Sequence, residues 1–114
     1  MSDSTLRDKS YAFSLRVIRM HDFLCNKKEF ILSKQFLRSG TAIGALIREA
    51  QYAQSRPDFI NKMSIALKEA NETEYWLNLF KDSGYIDDKQ FESINFDHKE
   101  LLRMLISTVK NSKN

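Results

Sequence analysis

The sequence predicts an all-α protein, an antiparallel up-down four-helix bundle that forms one domain over residues 1–114. Three glycines and one proline among 114 residues leave little material for the tight turns of a β-sandwich or barrel. Apolar side chains recur at helical spacing in four segments, about 4–25, 33–54, 56–83 and 87–110. Because the links between these segments are short, consecutive helices are expected to pack antiparallel.

The first two helices each show a core stripe. Lys27 and Lys28 suit the end of the first helix, where exposed carbonyls attract cations. Ser33 is the expected N-cap of the second helix, and residues 30–32 are expected to be an apolar connector packed against the end of the bundle. The predicted core residues are Leu6, Phe13, Val17, Met20 and Leu24 in the first helix and Leu32, Phe36, Ile43, Ile47 and Ala50 in the second.

Gly40 and Gly44 lie four residues apart inside the second helix. Each glycine costs about 1 kcal/mol of helix propensity relative to alanine. A close approach of a neighbouring backbone would explain them, and a local kink is the alternative.

The last two helices have clear boundary signals. Ser55 is the expected N-cap of the third helix, with Pro57 in the first turn, and Gly84 is expected to stop it. Asp87 and Gln90 form a capping box for the fourth, and the tail from residue 111 is expected to fray. The predicted core residues are Phe59, Met63, Ala66, Ala70 and Leu77 in the third helix and Phe91, Ile94, Leu101, Leu102, Leu105 and Val109 in the fourth.

The helices differ in how many apolar stripes they carry. The fourth has essentially one, whereas the first and third each have a second stripe, which indicates either deeper burial within the monomer or self-association. Tryptophan and tyrosine are enriched at interface centres, and this favours assembly. Carboxylates on the tryptophan side are expected either to pair with an arginine of a neighbouring subunit or to be a solvated edge. The predicted interface comprises Tyr11, Leu15, Ile18, Ile65, Glu69, Glu72, Trp76 and Leu79.

The net charge of +3 is mildly basic. It permits a polyanionic partner without requiring one. Basic side chains away from the core stripes offer candidate phosphate contacts, and ordinary solvated surface is the alternative. The candidate nucleic-acid contacts are Lys9, Arg16 and Arg19 on the first helix and Lys34, Arg38 and Arg48 on the second.

The residues that bear chemistry form no convincing catalytic, cofactor or metal site. Neither His21 nor His98 follows a glutamate by three residues, so the Glu-x-x-His motif of di-iron bundles is absent. Cys25 lies one helical turn from His21, and a semi-buried free thiol is favoured over a catalytic pair. Glu74 projects towards the core side and should have a basic partner or a raised pKa. A non-enzymatic protein without cofactor or metal is therefore predicted.

The cellular setting follows from cysteine usage and hydropathy. A lone cysteine cannot form an internal disulfide, so a reducing cytoplasm is expected. The apolar runs are far shorter than the roughly 20 residues of a membrane span, and no membrane partner is expected.

Two blocks of the chain resemble a known family. They are LSKQFLRSGTAIGALIREAQYAQS at residues 32–55 and DFINKMSIALKEANETEYWLNLF at residues 58–80, and the segments SYAFSLRVIRMHDFL and GYIDDKQFESI at residues 10–24 and 84–94 also fit. They are similar to the four-helix bundle proteins encoded in intervening sequences of bacterial 23S rRNA genes, a family that includes the accessory variability proteins of diversity-generating retroelements.

The resemblance implies that the bundles assemble into a homopentameric barrel, and it implies no established active site. In the retroelement branch it also implies a basic surface that binds nucleic acid and a reverse transcriptase. Together with the basic residues, this favours a homo-oligomeric bundle that binds RNA or DNA. A protein-interaction scaffold, or an accessory protein of a reverse transcriptase, is the alternative.

Overall fold

The computed structural model describes the backbone of residues 3–113 and the side chains of residues 5–113. Its four helices are α1 (Asp3–Asn26), α2 (Ile31–Gln51), α3 (Arg56–Asp82) and α4 (Asp88–Lys113). Each helix packs against the next in sequence, and α1 also packs against α4, so that the bundle closes into a rod of 44 × 21 × 19 Å. Residues 3–113 contain no strand. The predicted all-α, up-down four-helix bundle is confirmed.

The core follows the predicted stripes closely. Nearly all of the predicted core residues are buried, and the rest, Met20, Leu32, Phe59 and Leu102, pack against the core while partly exposed. Phe36 and Phe80 meet edge to face in the core, with ring centroids 5.6 Å apart. The core residues absent from the prediction are Phe80, Ile86 and Met104.

Helices α3 and α4 begin where the sequence predicts. The hydroxyl of Ser55 accepts a hydrogen bond from the Asp58 amide at 3.2 Å. At the start of α4, the Gln90 amide donates to the Asp87 carboxylate at 2.7 Å, and the Asp87 amide donates to the Gln90 side chain at 2.9 Å. Gly84 has a φ of 84°, the left-handed conformation that commonly ends a helix.

The predicted start of α2 is wrong. The helix begins at Ile31, and Ser33 lies within its first turn. The Ser33 amide donates to the Glu29 carboxylate at 2.7 Å, and the Ser33 hydroxyl donates to the Glu29 carbonyl at 2.6 Å. Glu29 therefore satisfies the first turn from outside the helix, after Lys28 turns the chain with a φ of 67°. Of the expected apolar connector, Phe30 and Ile31 are exposed and only Leu32 packs against the core.

Two helix ends also differ from prediction. Helix α2 ends at Gln51, because the amides of Tyr52 and Ala53 turn back to carbonyls three residues earlier, at 3.0 and 3.1 Å. Helix α4 continues to Lys113 and does not fray at residue 111. The Arg56 guanidinium donates to the Ser112 carbonyl at 2.8 Å and thereby holds the last turn of α4 against α3. Residue 114 lies outside the described residues.

The two glycines of α2 mark its closest approach to α1. A Cβ at Gly40 would lie 2.7–2.8 Å from the methyl carbons of Val17, and one at Gly44 would lie 3.4 Å from the Ser10 carbonyl oxygen. Of the two explanations offered by the sequence, close approach of a neighbouring helix is therefore the one that the structure supports. At Gly40 the neighbour is a side chain, and at Gly44 it includes backbone.

Candidate assembly and nucleic-acid interfaces

The second apolar stripe of α1 faces outward. Tyr11, Leu15 and Ile18 are 59%, 40% and 42% exposed. This shows that burial within the monomer does not explain the stripe. Tyr11 and Ile18 also line a groove of about 280 Å³ between α1 and α2, whose other lining residues are Arg7, Ser10, Ser14, Thr41, Gly44, Ala45 and Arg48. The groove is open because most of the residues that line it have small side chains.

The second stripe of α3 is divided between core and surface. Ile65 is exposed, whereas Trp76 is half-buried and packs against the core, and Leu79 is half-buried. The indole N–H of Trp76 donates to the Glu72 carboxylate at 3.0 Å. Exposed Tyr75 meets the Trp76 ring edge-on, with centroids 5.1 Å apart. Aromatic surface therefore continues from the edge of the core into solvent along α3.

The carboxylates of the α3 stripe have partners within the chain. The Arg38 guanidinium donates to Glu69 at 2.8 Å and to Glu72 at 2.6 Å. These hydrogen bonds, with Glu69 first, raise the pKa of Arg38. The pKa of Glu72 is lowered, chiefly by the hydrogen bond from Trp76 and then by Arg38. An arginine of a neighbouring subunit is thus not needed to satisfy this pair.

The predicted basic contacts fall into two groups. Three cations are held by carboxylates: Arg38 as above, Lys9 by Glu100 at 2.9 Å, and Arg16 by Asp97 at 2.7 Å, with further bonds from Arg16 to Ser93. The other three are exposed and form no ion pair with the residues that the structure describes. These are Arg19, Lys34 and Arg48.

Helix α4 carries two exposed apolar residues outside its core stripe, Phe96 and Ile106. The surface of α4 also bears cations that sequence reasoning missed. Lys89, Arg103 and Lys110 are exposed, seven and fourteen positions apart, and Phe96 falls in the same series. This spacing is visible in the sequence, but an apolar-stripe pattern does not detect it, since three of the four residues are charged.

His98 is a structural histidine between α3 and α4. It is fully buried, and its Nε2 donates to the Ala70 carbonyl at 2.7 Å. Its Nδ1 lies 3.7 Å from the Glu74 carboxylate, which accepts a hydrogen bond from Lys99. Glu74 thus has the basic partner expected of it. Burial lowers the pKa of His98, although the Ala70 carbonyl and Glu74 act in the opposite direction.

His21 and Cys25 meet on one side of α1, as their spacing predicts. The Cys25 sulfur lies 3.5 Å from His21 Nε2, and His21 Nδ1 lies 3.1 Å from the Ser33 carbonyl. Among the described side chains, no three histidine, cysteine, aspartate or glutamate residues gather where one metal ion would bind. No helix within residues 3–113 is long and apolar enough to cross a membrane.

Comparison with known proteins identifies the family. A model of the 23S rRNA-intervening sequence protein family matches residues 2–107, which is nearly the whole chain. The chain belongs to this family. The resemblance carried by residues 32–55 and 58–80 is thereby confirmed.

A solved structure of an intervening-sequence relative agrees in fold. The protein comes from Bacteroides thetaiotaomicron VPI-5482 and is described as a protein with unknown function from the S23 ribosomal protein family. It is 58% identical to this chain, with a TM-score of 0.94, and the match covers 96% of this chain and 99% of the relative. No curated protein matches the chain. Fold and family are therefore shown, and the function of the relative is itself unknown.

Proposed function

We propose that this intervening-sequence protein is a non-enzymatic building block that assembles with copies of itself and binds nucleic acid. Self-association is supported by the exposed stripe of Tyr11, Leu15 and Ile18 beside the α1–α2 groove. Contiguous exposed apolar surface of this kind is typical of protein–protein contacts. The absence of an enzymatic role is supported by His98 and Glu74, which hold helices together.

The two exposed stripes favour a head-to-tail contact between copies. The α1 stripe borders a groove lined by Arg48, which has no ion pair among the described residues. Glu69 and Glu72 beside the α3 stripe, in contrast, share the single cation Arg38 and so keep an excess negative charge. A contact between unlike faces would bring opposite charges together, whereas a contact between like faces would not. Head-to-tail contacts close into rings when the rotation between copies permits. The family resemblance implies a ring of five.

Light scattering on the wild type and an interface variant tests this assembly. Combining Ile18→Asp with Trp76→Ala should reduce the mass to that of a 13.4 kDa monomer, because it places a charge on one face and removes the largest side chain of the other. Ile106→Asp on α4 is the matched control and should leave the mass unchanged. A wild type that is already monomeric at micromolar concentration would refute the assembly.

Nucleic acid is the proposed partner of the assembled protein. Each copy contributes a net charge of +3, and Arg19, Lys34 and Arg48 are not neutralised by carboxylates among the described residues. Repeating this charge around a ring strengthens a weak field and adds avidity. Filter binding of structured RNA should show affinity that falls steeply as salt rises. Absence of binding at low salt, or binding that ignores salt, would contradict the proposal.

A protein-interaction scaffold is the second candidate. Its supporting observation is the exposure of Phe30 and Ile31 at the start of α2. Purification from the native host with and without nuclease separates the two functions. A protein partner that stays bound after nuclease treatment, from a chain that binds no RNA, would favour the scaffold.

A further inference from the structure

The outer surface of α4 bears a regular line of cations around one aromatic ring. Lys89, Phe96, Arg103 and Lys110 recur every seven residues, so that neighbours lie about 10.5 Å apart along the helix. Phe96 is 70% exposed. None of the three cations forms an ion pair with any residue in the described part of the chain. We name these four residues the α4 strip.

We propose that the α4 strip is the surface on which single-stranded nucleic acid binds, an inference that rests on the proposed nucleic-acid function. A line of positive charges, with Lys89 about 21 Å and Lys110 about 10.5 Å from Arg103 along the helix, matches a polymer whose negative charges repeat. One strand of a duplex carries a phosphate about every 3.4 Å along the axis, and an unpaired strand can extend further, so a step of about 10.5 Å along the strip spans about three phosphates or fewer. Phe96 supplies the second element, because an exposed aromatic ring between cations is a platform on which an unpaired base stacks.

Charge neutralisation distinguishes the α4 strip from three of the six candidate cations on α1 and α2. Lys9 and Arg16 on α1 and Arg38 on α2 are held by carboxylates of the same chain. A phosphate would have to displace those partners, whereas the cations of the strip need no such exchange. Two carboxylates lie one helical turn from residues of the strip. Glu100 is paired with Lys9, and the three cations outweigh exposed Glu92.

The exposed ring of Phe96 favours a single strand over a duplex as the ligand. In a duplex the bases are paired and stacked on each other, so Phe96 would have no base face to contact. In a single strand a base can leave its neighbours and lie on the ring, and this contact tolerates any sequence. The strip therefore predicts a preference for unpaired over paired strands and little dependence on sequence.

Fluorescence anisotropy with a labelled 20-nucleotide oligouridylate tests the location. Arg103→Gln with Lys110→Gln removes two cations from the strip, and Arg19→Gln with Lys34→Gln removes two exposed cations from α1 and α2. The first variant should bind about tenfold more weakly at low salt, with a slope of log affinity against log salt that is shallower by about 1.4, since each phosphate contact contributes roughly 0.7. The second variant should lose less affinity than the first, because Arg19 and Lys34 add to the attraction of the whole surface without lying on the strip.

The outcomes separate this inference from the function on which it rests. If only the second variant loses affinity, nucleic-acid binding stands and the α4 location is overturned. If the wild type binds neither the oligouridylate nor structured RNA at low salt, both are overturned. Tighter binding of a duplex of equal length would overturn the preference for single strands.

Phe96 provides an independent test. Phe96→Ala should weaken binding about fivefold or more, as loss of one stacked base does, and leave the salt slope unchanged. Phe96→Trp should restore the affinity, and Ile106→Ala, at another exposed apolar position of α4, should have no effect. If Phe96→Ala instead lowers the mass in light scattering, the ring belongs to an interface between copies and the proposal is overturned.

Discussion

The contact between α1 and α2 and the contact between α3 and α4 hold the same bundle together by different means. At the first, glycine allows close approach, with Gly40 against Val17. At the second, buried His98 donates to the Ala70 carbonyl and faces Glu74. One contact depends on side-chain volume and the other on protonation. Added volume should therefore weaken the α1–α2 contact, and lowered pH should weaken the α3–α4 contact.

Added volume at Gly40 gives the largest expected effect. In Gly40→Val the new Cβ would lie 2.7 Å from a Val17 methyl carbon. The two methyl groups of the new valine would need further space. Overpacking of this kind costs about 1–3 kcal/mol, and we expect the upper end, because Val17 is fully buried and has no room to move. Urea denaturation measures the loss.

Ala12→Val on the exposed side of α1 is the matched control for Gly40→Val. It should cost less than about 1 kcal/mol, the difference in helix propensity alone. Equal losses in the two variants would mean that shape does not determine the α1–α2 contact.

Protonation at the α3–α4 contact gives an intermediate effect. Because burial lowers the pKa of His98, the unfolded chain takes up a proton at this residue before the folded chain does. Its contribution to stability is complete above the unfolded pKa of about 6.5 and is lost as pH falls through the lower folded value. The free energy of unfolding of the wild type should therefore decline between pH 7 and pH 5.

In His98→Leu that decline should be smaller, although the variant is less stable at pH 7. Glu74 and Lys99, the charged groups facing His98, remain in this variant. Gly40→Val should keep the wild-type pH profile, since its defect lies at the other contact. A decline in His98→Leu as steep as in the wild type would show that another group is responsible.

Gly44→Ala gives the smallest expected effect, because the contacts of its Cβ with α1 are looser than those at Gly40. Its Cβ would lie 3.3 Å from the Ser14 hydroxyl and 3.4 Å from the Ser10 carbonyl oxygen, contacts that a shift of a few tenths of an ångström relieves. Alanine is favoured over glycine by about 1 kcal/mol in a helix, so we expect a net stabilisation of roughly 0.5 kcal/mol. A loss as large as that of Gly40→Val would show that the close approach is equally tight at both glycines.

The fold was predictable where the determining contacts are local. The starts of α3 and α4 follow from Ser55 and from the pair of Asp87 and Gln90, whose partners lie three residues away. The end of α4 was not predictable, because Arg56 holds the Ser112 carbonyl from 56 positions away. At the start of α2 the left-handed turn falls on Lys28, a residue type that gives no signal for it.

The sequence predicts which residues belong to the candidate sites, but it does not predict their packing or whether their charges are neutralised. The sequence indicates that Tyr11 and Ile18 lie off the core stripe, yet only the packing of α1 against α2 shows that they line a groove. The pairing of Arg16 with Asp97 joins positions 81 apart, and no local pattern shows that this cation is neutralised. The two apolar stripes, on α1 and α3, thus remain the strongest basis for the proposed assembly.

A mixing experiment tests head-to-tail assembly most directly. Ile18→Asp leaves the α3 stripe intact, and Ile65→Asp leaves the α1 stripe intact. Each variant alone should be monomeric in sedimentation velocity, because every head-to-tail contact needs both stripes, and an equimolar mixture should form a heterodimer of about twice the chain mass of 13.4 kDa. If each variant instead forms a dimer alone and mixing changes nothing, like faces pair with like, and the head-to-tail account is contradicted.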